Sequence, residues 1–165
     1  MKAIITFLIL GLLFGVVGVI GVPSGPVPIQ VQVNPSIDIT ITPCSSTLDF
    51  GSPTPGTPNQ AVTCQDTNTP AVTVTNHGGS KVDVNVSGAG AFTSSPYTFA
   101  LANAVWDIVN PFTNLTNMST IGAIFTPASG LQNNHNQGIY FWLSVPLEQH
   151  SGTYTNTFTF TASEH

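Results

Sequence analysis

Beyond Lys2 the chain carries a single basic side chain, Lys81, set among Thr, Val, Asn, Gly and Pro. Charge, and lysine above all, is the ordinary device that keeps an open β-sheet edge from pairing with another chain. A sheet protein built from this sequence has few means of guarding its edges. It is suited to being paired with something.

The rest of the composition sets the outer bounds. With 165 residues, 41% hydrophobic and only 5% charged, the chain is too apolar for disorder and long enough for one domain with a real core. The net charge of −5 comes with no basic cluster, so the electrostatic footprint that phosphate backbones demand is missing, and nucleic acid is not an expected partner.

Lys2 is followed by an apolar run over residues 3–22, broken only by Thr6, which is the pattern of an export segment. Val19 and Gly21 place small residues where a signal peptidase cuts before Val22. The same run is long enough, at about 20 residues, to stay as a membrane anchor. Either outcome puts the domain outside the cytoplasm, at the cell surface or beyond it. The membrane then enters only during export or through the retained anchor.

Cys44 and Cys64 are an even pair in such a chain, where disulfides persist, and they are expected to be bridged; two buried free thiols are the alternative. Neither sits in a CxxC and no His is near them in sequence, so no metal site and no cofactor is expected. Three N-glycosylation sequons occur, Asn85-Val86-Ser87, Asn114-Leu115-Thr116 and Asn117-Met118-Ser119, whereas Pro35 disqualifies Asn34. The close pair at Asn114 and Asn117 lies in a polar, loop-like stretch. Glycans there would supply solubility that charge does not.

Residues 22–28 hold Pro23, Pro26 and Pro28 and should run as an extended arm. Ile29, Val31 and Val33 then alternate with Gln30 and Gln32, and Ile37, Ile39 and Ile41 with Asp38 and Thr40. Both are half-buried strand patterns separated by a break at Asn34-Pro35-Ser36. Further short strands are expected over 47–50, 61–64, 71–75, 81–87, 139–145 and 154–160. The glycines of Asn76-His77-Gly78-Gly79-Ser80 suggest a hairpin between two of them. Only 100–109 offers a helical alternative. The expected fold is all-β, a single antiparallel β-sandwich of immunoglobulin-like or jelly-roll topology. The chain would thus be organised as an export segment over 1–21, an extended arm over 22–43 and the sandwich over 44–165.

Catalytic signals are absent. The acids Asp38, Asp49, Asp66, Asp83, Asp107, Glu148 and Glu164 are scattered, no Gly-x-Ser-x-Gly elbow occurs, and His77, His135, His150 and His165 each lie near Gly, Asn or the terminus. A cupredoxin needs a late Cys with His and Met close behind, and here both Cys come early. No enzyme activity is expected. Trp106, Trp142, Tyr97 and Tyr140 could stack on sugars, but core packing accounts for them better. An isopeptide bond from Lys81 to an Asn or Asp would need a buried lysine beside a carboxylate, and Lys81 adjoins a turn.

Leu48-Asp49-Phe50-Gly51, Pro55-Gly56 and the run Val72-Thr73-Val74-Thr75-Asn76-His77-Gly78 resemble the opening of extracellular immunoglobulin-like domains. Tyr140-Phe141-Trp142-Leu143-Ser144-Val145-Pro146 and the run from Ser151 through Phe160 are similar to the closing strands of secreted archaeal β-sandwich proteins. The whole layout resembles archaeal surface filament subunits of the bundling-pilus and thread type, related in plan to the TasA-like biofilm fibre proteins. The resemblance implies a homopolymer of identical subunits in which the N-terminal strand of one completes the sheet of the next, serving adhesion or biofilm.

The residues suit that role on physical grounds. A donated strand gains main-chain hydrogen bonds and inserts alternate side chains into an apolar groove. Ile29, Val31 and Val33, extended to Ile37, Ile39 and Ile41, have the alternation. Burying all six would contribute roughly 9–18 kcal/mol before association costs. The alternative is that these residues form the first strands of their own sandwich, kinked at Pro35, in a monomeric secreted or membrane-anchored surface-layer or binding module.

Overall fold

The structure is a computed structural model that describes residues 36–124 and 130–165. Residues 1–35, and with them the export segment, the proline-rich arm and Ile29, Val31 and Val33, lie outside the described residues. The chain separates into the units Met1–Val33 and Asn34–His165, and every described strand belongs to the second.

In chain order the strands are β1 (Ile39–Pro43), β2 (Gln60–Ala61), β3 (Val72–Asn76), β4 (Val82–Gly88), β5 (Phe92–Ser94), β6 (Tyr97–Phe99), β7 (Ala104–Asp107), β8 (Thr116–Asn117), β9 (Ala123–Ile124), β10 (Asn136–Leu143) and β11 (Phe158–Glu164). The larger sheet runs β1-β3-β10-β7-β8, with β2 also on β10; a smaller sheet runs β11-β4-β9, and β5 pairs β6. Every pairing is antiparallel. The protein is all-β, as its period-two patterns require. The helical alternative at 100–109 resolves into one 3-10 turn, Leu101–Asn103, leading into β7.

Alternation decides which side chains turn inward. Val82, Val84, Val86 and Gly88 of β4 are buried while the residues between them are half-exposed. Val72 and Val74 of β3, and Ile139, Phe141 and Leu143 of β10, join them in one core with Phe92, Phe99 and Trp106. The smaller sheet reaches the larger one through Phe158, whose ring lies 5.1 Å from that of Phe141. Burying side chains of this size contributes about 1.5–3 kcal/mol each.

β10 is the strand on which the larger sheet is organised. One of its sides pairs β7 through Tyr140–Leu143. Its other side pairs β3 at residues 136–139 and β2 at Trp142 and Leu143. Between those two partners the Phe141 N–H would be left without a strand, and it donates instead to Gln65 Oε1 at 2.9 Å. A buried side-chain amide thus stands in for a missing rung.

Two expectations are corrected. The segment Asn76-His77-Gly78-Gly79-Ser80 is not a hairpin: β3 and β4 belong to different sheets and do not pair, so the connection arches across the core. The reason lies in Asn76, which is fully buried. Its Nδ2 donates to Ser80 O (2.9 Å) and Leu131 O (2.8 Å), and its Oδ1 accepts from Gly78 N (2.9 Å). Gly78 is required there because a Cβ would collide with the Ser36 carbonyl.

The second correction concerns the arm and the residues Ile37, Ile39 and Ile41. β1 pairs residue for residue with β3 of its own chain, from Ile39↔Asn76 to Pro43↔Val72. Ile39 and Ile41 pack half-buried on the core, while Ile37 is exposed outside the strand. His77 N and Gly78 N both donate to Asp38 O, and Ser80 N to Ser36 O. The body therefore takes in residues 36–43, which the sequence pattern places in the arm. The expected strand at 47–50 is irregular chain whose Leu48 and Phe50 still pack on the core.

Cys44 and Cys64 are bonded, with Cα atoms 5.8 Å apart and a sequence separation of 20. The closed loop contributes about 3 kcal/mol by restricting the unfolded chain. It ties the end of β1 to the segment just beyond β2.

Asn76→Ala would remove three hydrogen bonds inside the arch, each contributing about 0.5–1.5 kcal/mol, and leave Gly78 N with Asp38 O and Leu131 O with Val82 N. The expected loss is about 2–4 kcal/mol of unfolding free energy, read from urea denaturation of the variant against the parent chain.

Candidate functional site

Two features stand out on the surface: the outer strands of the sheets, and the loop that carries the paired sequons. At the edge of the smaller sheet, β11 has one strand neighbour among the described residues, β4, matched from Phe158↔Gly88 to Glu164↔Val82. Its inward residues Phe158, Phe160 and Ala162 are only half-buried, although they pack on the core. Outward it presents Thr159, Thr161 and Ser163, and its one charge is Glu164 at the very end. No lysine or proline blunts it. At one edge of the larger sheet, β1 is guarded differently, by Pro43 in the strand and the disulfide at the next residue.

The second feature grows from Asp107 at the end of β7. Its Oδ1 accepts from Ile108 N (2.7 Å) and Val109 N (3.3 Å), and its Oδ2 from Thr113 N (2.7 Å) and Asn114 N (2.8 Å). One carboxylate thus fixes both limbs of the 108–114 loop. Burial pushes its pKa up, and the N–H donors of Asn114, Thr113, Ile108 and Val109 together outweigh burial, so the carboxyl sits below the usual carboxylate range. Asn110 Nδ2 anchors the same loop to Asp66 O at 2.7 Å.

The loop covers the outer face of β10. Tyr140 and Trp142 point away from Phe141, as alternation requires, and are buried with Val105, Ala61 and Leu115 in a second, smaller cluster. Phe112 meets Trp142 edge-on, with centroids 5.2 Å apart. These aromatics are packing residues covered by their own chain. Phe112, Ile108 and Val109 remain 40–43% exposed at its rim.

The three sequons fall in different settings. Asn85 lies in the middle of β4, flanked by β9 and β11. Its Oδ1 is buried without a hydrogen-bond partner, and a Cβ at Gly122 (φ +82°) would collide with it. Asn85 is thus half-exposed, with its amide oxygen turned inward. Asn114, in the Asp107 loop, and Asn117, in β8, are both exposed.

The remaining chemistry-bearing groups do not converge. His165 Nδ1 lies 2.9 Å from Asp83 Oδ1, His150 stacks on Tyr97 at 3.9 Å, and His135 meets Asn76 through its main chain. Among the described residues no group of three or more His, Cys, Asp or Glu is placed to hold a metal ion. Lys81 is exposed at the start of β4, which is not the buried setting an isopeptide bond requires. Sequence reasoning missed Gln65, Asn76 and Asp107 as organising residues. For Asn76 and Asp107 the one legible signal is a polar residue at a strand end followed by a turn-rich segment.

No protein-family model matches the chain, and a comparison with curated proteins finds no match.

A group whose pKa is depressed in the folded state stabilises fully above its unfolded value, and that contribution is lost as pH falls through the folded value. Asp107→Asn keeps the shape but removes the charge. It is expected to cost at least about 1.5–3 kcal/mol, the scale of one hydrogen bond to a charged group. The gap to the parent chain should be full above about pH 5 and should close in acid, as followed by urea denaturation across pH.

Proposed function

We propose that the protein is the structural subunit of an extracellular filament, a single β-sandwich of immunoglobulin-like or jelly-roll kind that polymerises head to tail by strand donation at the cell surface. The observation that carries this reading is β11: a long outer strand with no guarding lysine or proline, whose inward Phe158, Phe160 and Ala162 are half-buried. Its inward spacing of two matches Ile29, Val31 and Val33. The donated stretch is limited to these residues, because Ile39 and Ile41 are already paired to β3 and the disulfide follows at once.

Burying the three donor side chains would contribute roughly 4.5–9 kcal/mol before association costs, with main-chain hydrogen bonds along β11 in addition. The arm of one copy meets a different surface on the next, so the contact is heterologous and propagates without closing. The paucity of charge that leaves β11 open also removes the repulsion that would keep copies apart. Adhesion or biofilm formation is the role such a fibre would serve, and glycans on the exposed sequons would keep its flanks soluble.

A second reading is favoured by the pairing of residues 39–43 within their own chain: a monomeric module, secreted or held by a retained N-terminal anchor. One experiment separates the two. Negative-stain microscopy of the full chain should show fibres, and deletion of residues 22–33 should leave a monomer with unchanged far-ultraviolet circular dichroism and no fibres. Unchanged fibres after deletion overturn strand donation, and a full chain that stays monomeric at high concentration supports the module.

A further inference from the structure

Beside the Asp107 loop lies an open cleft of about 420 Å³, lined by Trp106, Ile108, Val109, Asn114, Thr116 and Ile124 among others. Its volume is within the range of about 300–1,000 Å³ found for small-molecule sites. Three of its lining residues are apolar and markedly exposed: Ile108 at 40%, Val109 at 43% and Ile124 at 57%. Together they give the cleft a small apolar lining, which a group the size of a sugar ring would shield from water. Asn114, the acceptor of a sequon, is itself part of the wall, and its backbone is held by Asp107.

We propose that Asn114 is N-glycosylated and that its first sugars lie in this cleft, their apolar pyranose faces covering Ile108, Val109 and Ile124. Modification joins Asn114 Nδ2 to the anomeric carbon of a lipid-phosphate-linked oligosaccharide. The carbon–oxygen bond to the phosphate breaks, the lipid phosphate leaves with the electron pair, and one amide proton is released. One face of a pyranose presents mainly C–H groups, so it packs on aliphatic side chains while its hydroxyls keep their water. Asn117 does not share the arrangement. It is absent from the lining, and it alternates along its strand with Thr116 and the buried Met118. The glycan is thus a packing element of the folded body as well as a solubilising one, whether or not the chain polymerises.

The test uses the full chain secreted from a host that N-glycosylates its proteins. Peptide mapping by mass spectrometry should find Asn114 occupied. Asn114→Gln should lower the thermal midpoint by about 2–4 °C, and in a Val109→Ser background that loss should shrink to under about 1 °C. Asn117→Gln should shift both backgrounds equally. Nuclear Overhauser contacts between sugar ring protons and the methyls of Ile108, Val109 and Ile124 give an independent readout. An unmodified Asn114, an equal loss in both backgrounds, or the absence of those contacts would overturn the proposal.

Discussion

The fold depends on keeping every main-chain group of β10 satisfied while both its faces are buried. Ile139, Phe141 and Leu143 enter the main core, and Tyr140 and Trp142 the outer cluster. A strand buried on both faces cannot turn an unpaired N–H to water. Its side toward β7 is continuous at residues 140–143, but its other side is divided between β3 and β2. The Gln65 amide closes that gap at Phe141. Gln65 directly precedes Asp66, whose carbonyl anchors Asn110.

Side-chain amides and carboxylates do in this protein what charge pairs do elsewhere. Asn76 holds the arch between sheets, and Asp107 holds the loop over Trp142. Each is a local acceptor or donor for backbone groups, which is the use of Asn and Asp that competes with regular strand pairing. A chain with 5% charged residues can thus build irregular connections without ion pairs. The cost is that little charge remains to defend its sheet edges.

Much of the fold is legible where the pattern is long. β3, β4 and β10 follow from alternation of apolar with polar residues, β11 only in part, since it runs over Phe158–Glu164 where the pattern predicts 154–160, and the Cys44–Cys64 bridge follows from an even pair of cysteines. The short strands β5 to β9, of two to four residues, are too brief to carry a period. The arch has the sequence of a hairpin because glycines between two alternating runs suit either connection, and the buried Asn76 that decides between them is a tertiary fact. The sequons are visible as triplets. Only the packing of Asn85 beneath Gly122 and the placement of Asn114 on an apolar cleft distinguish them.

The disulfide has a mechanical meaning. Cys44 immediately follows the last residue of β1, and its partner is anchored beyond β2 on the far part of the same sheet. Tension applied from the N-terminal side can peel only the short leading strand before it meets a covalent stop. Beyond that point the load passes through Cys64, whose neighbouring segment is tied to β10. The segment between the two cysteines, enclosed by the bridge, is thereby spared that load.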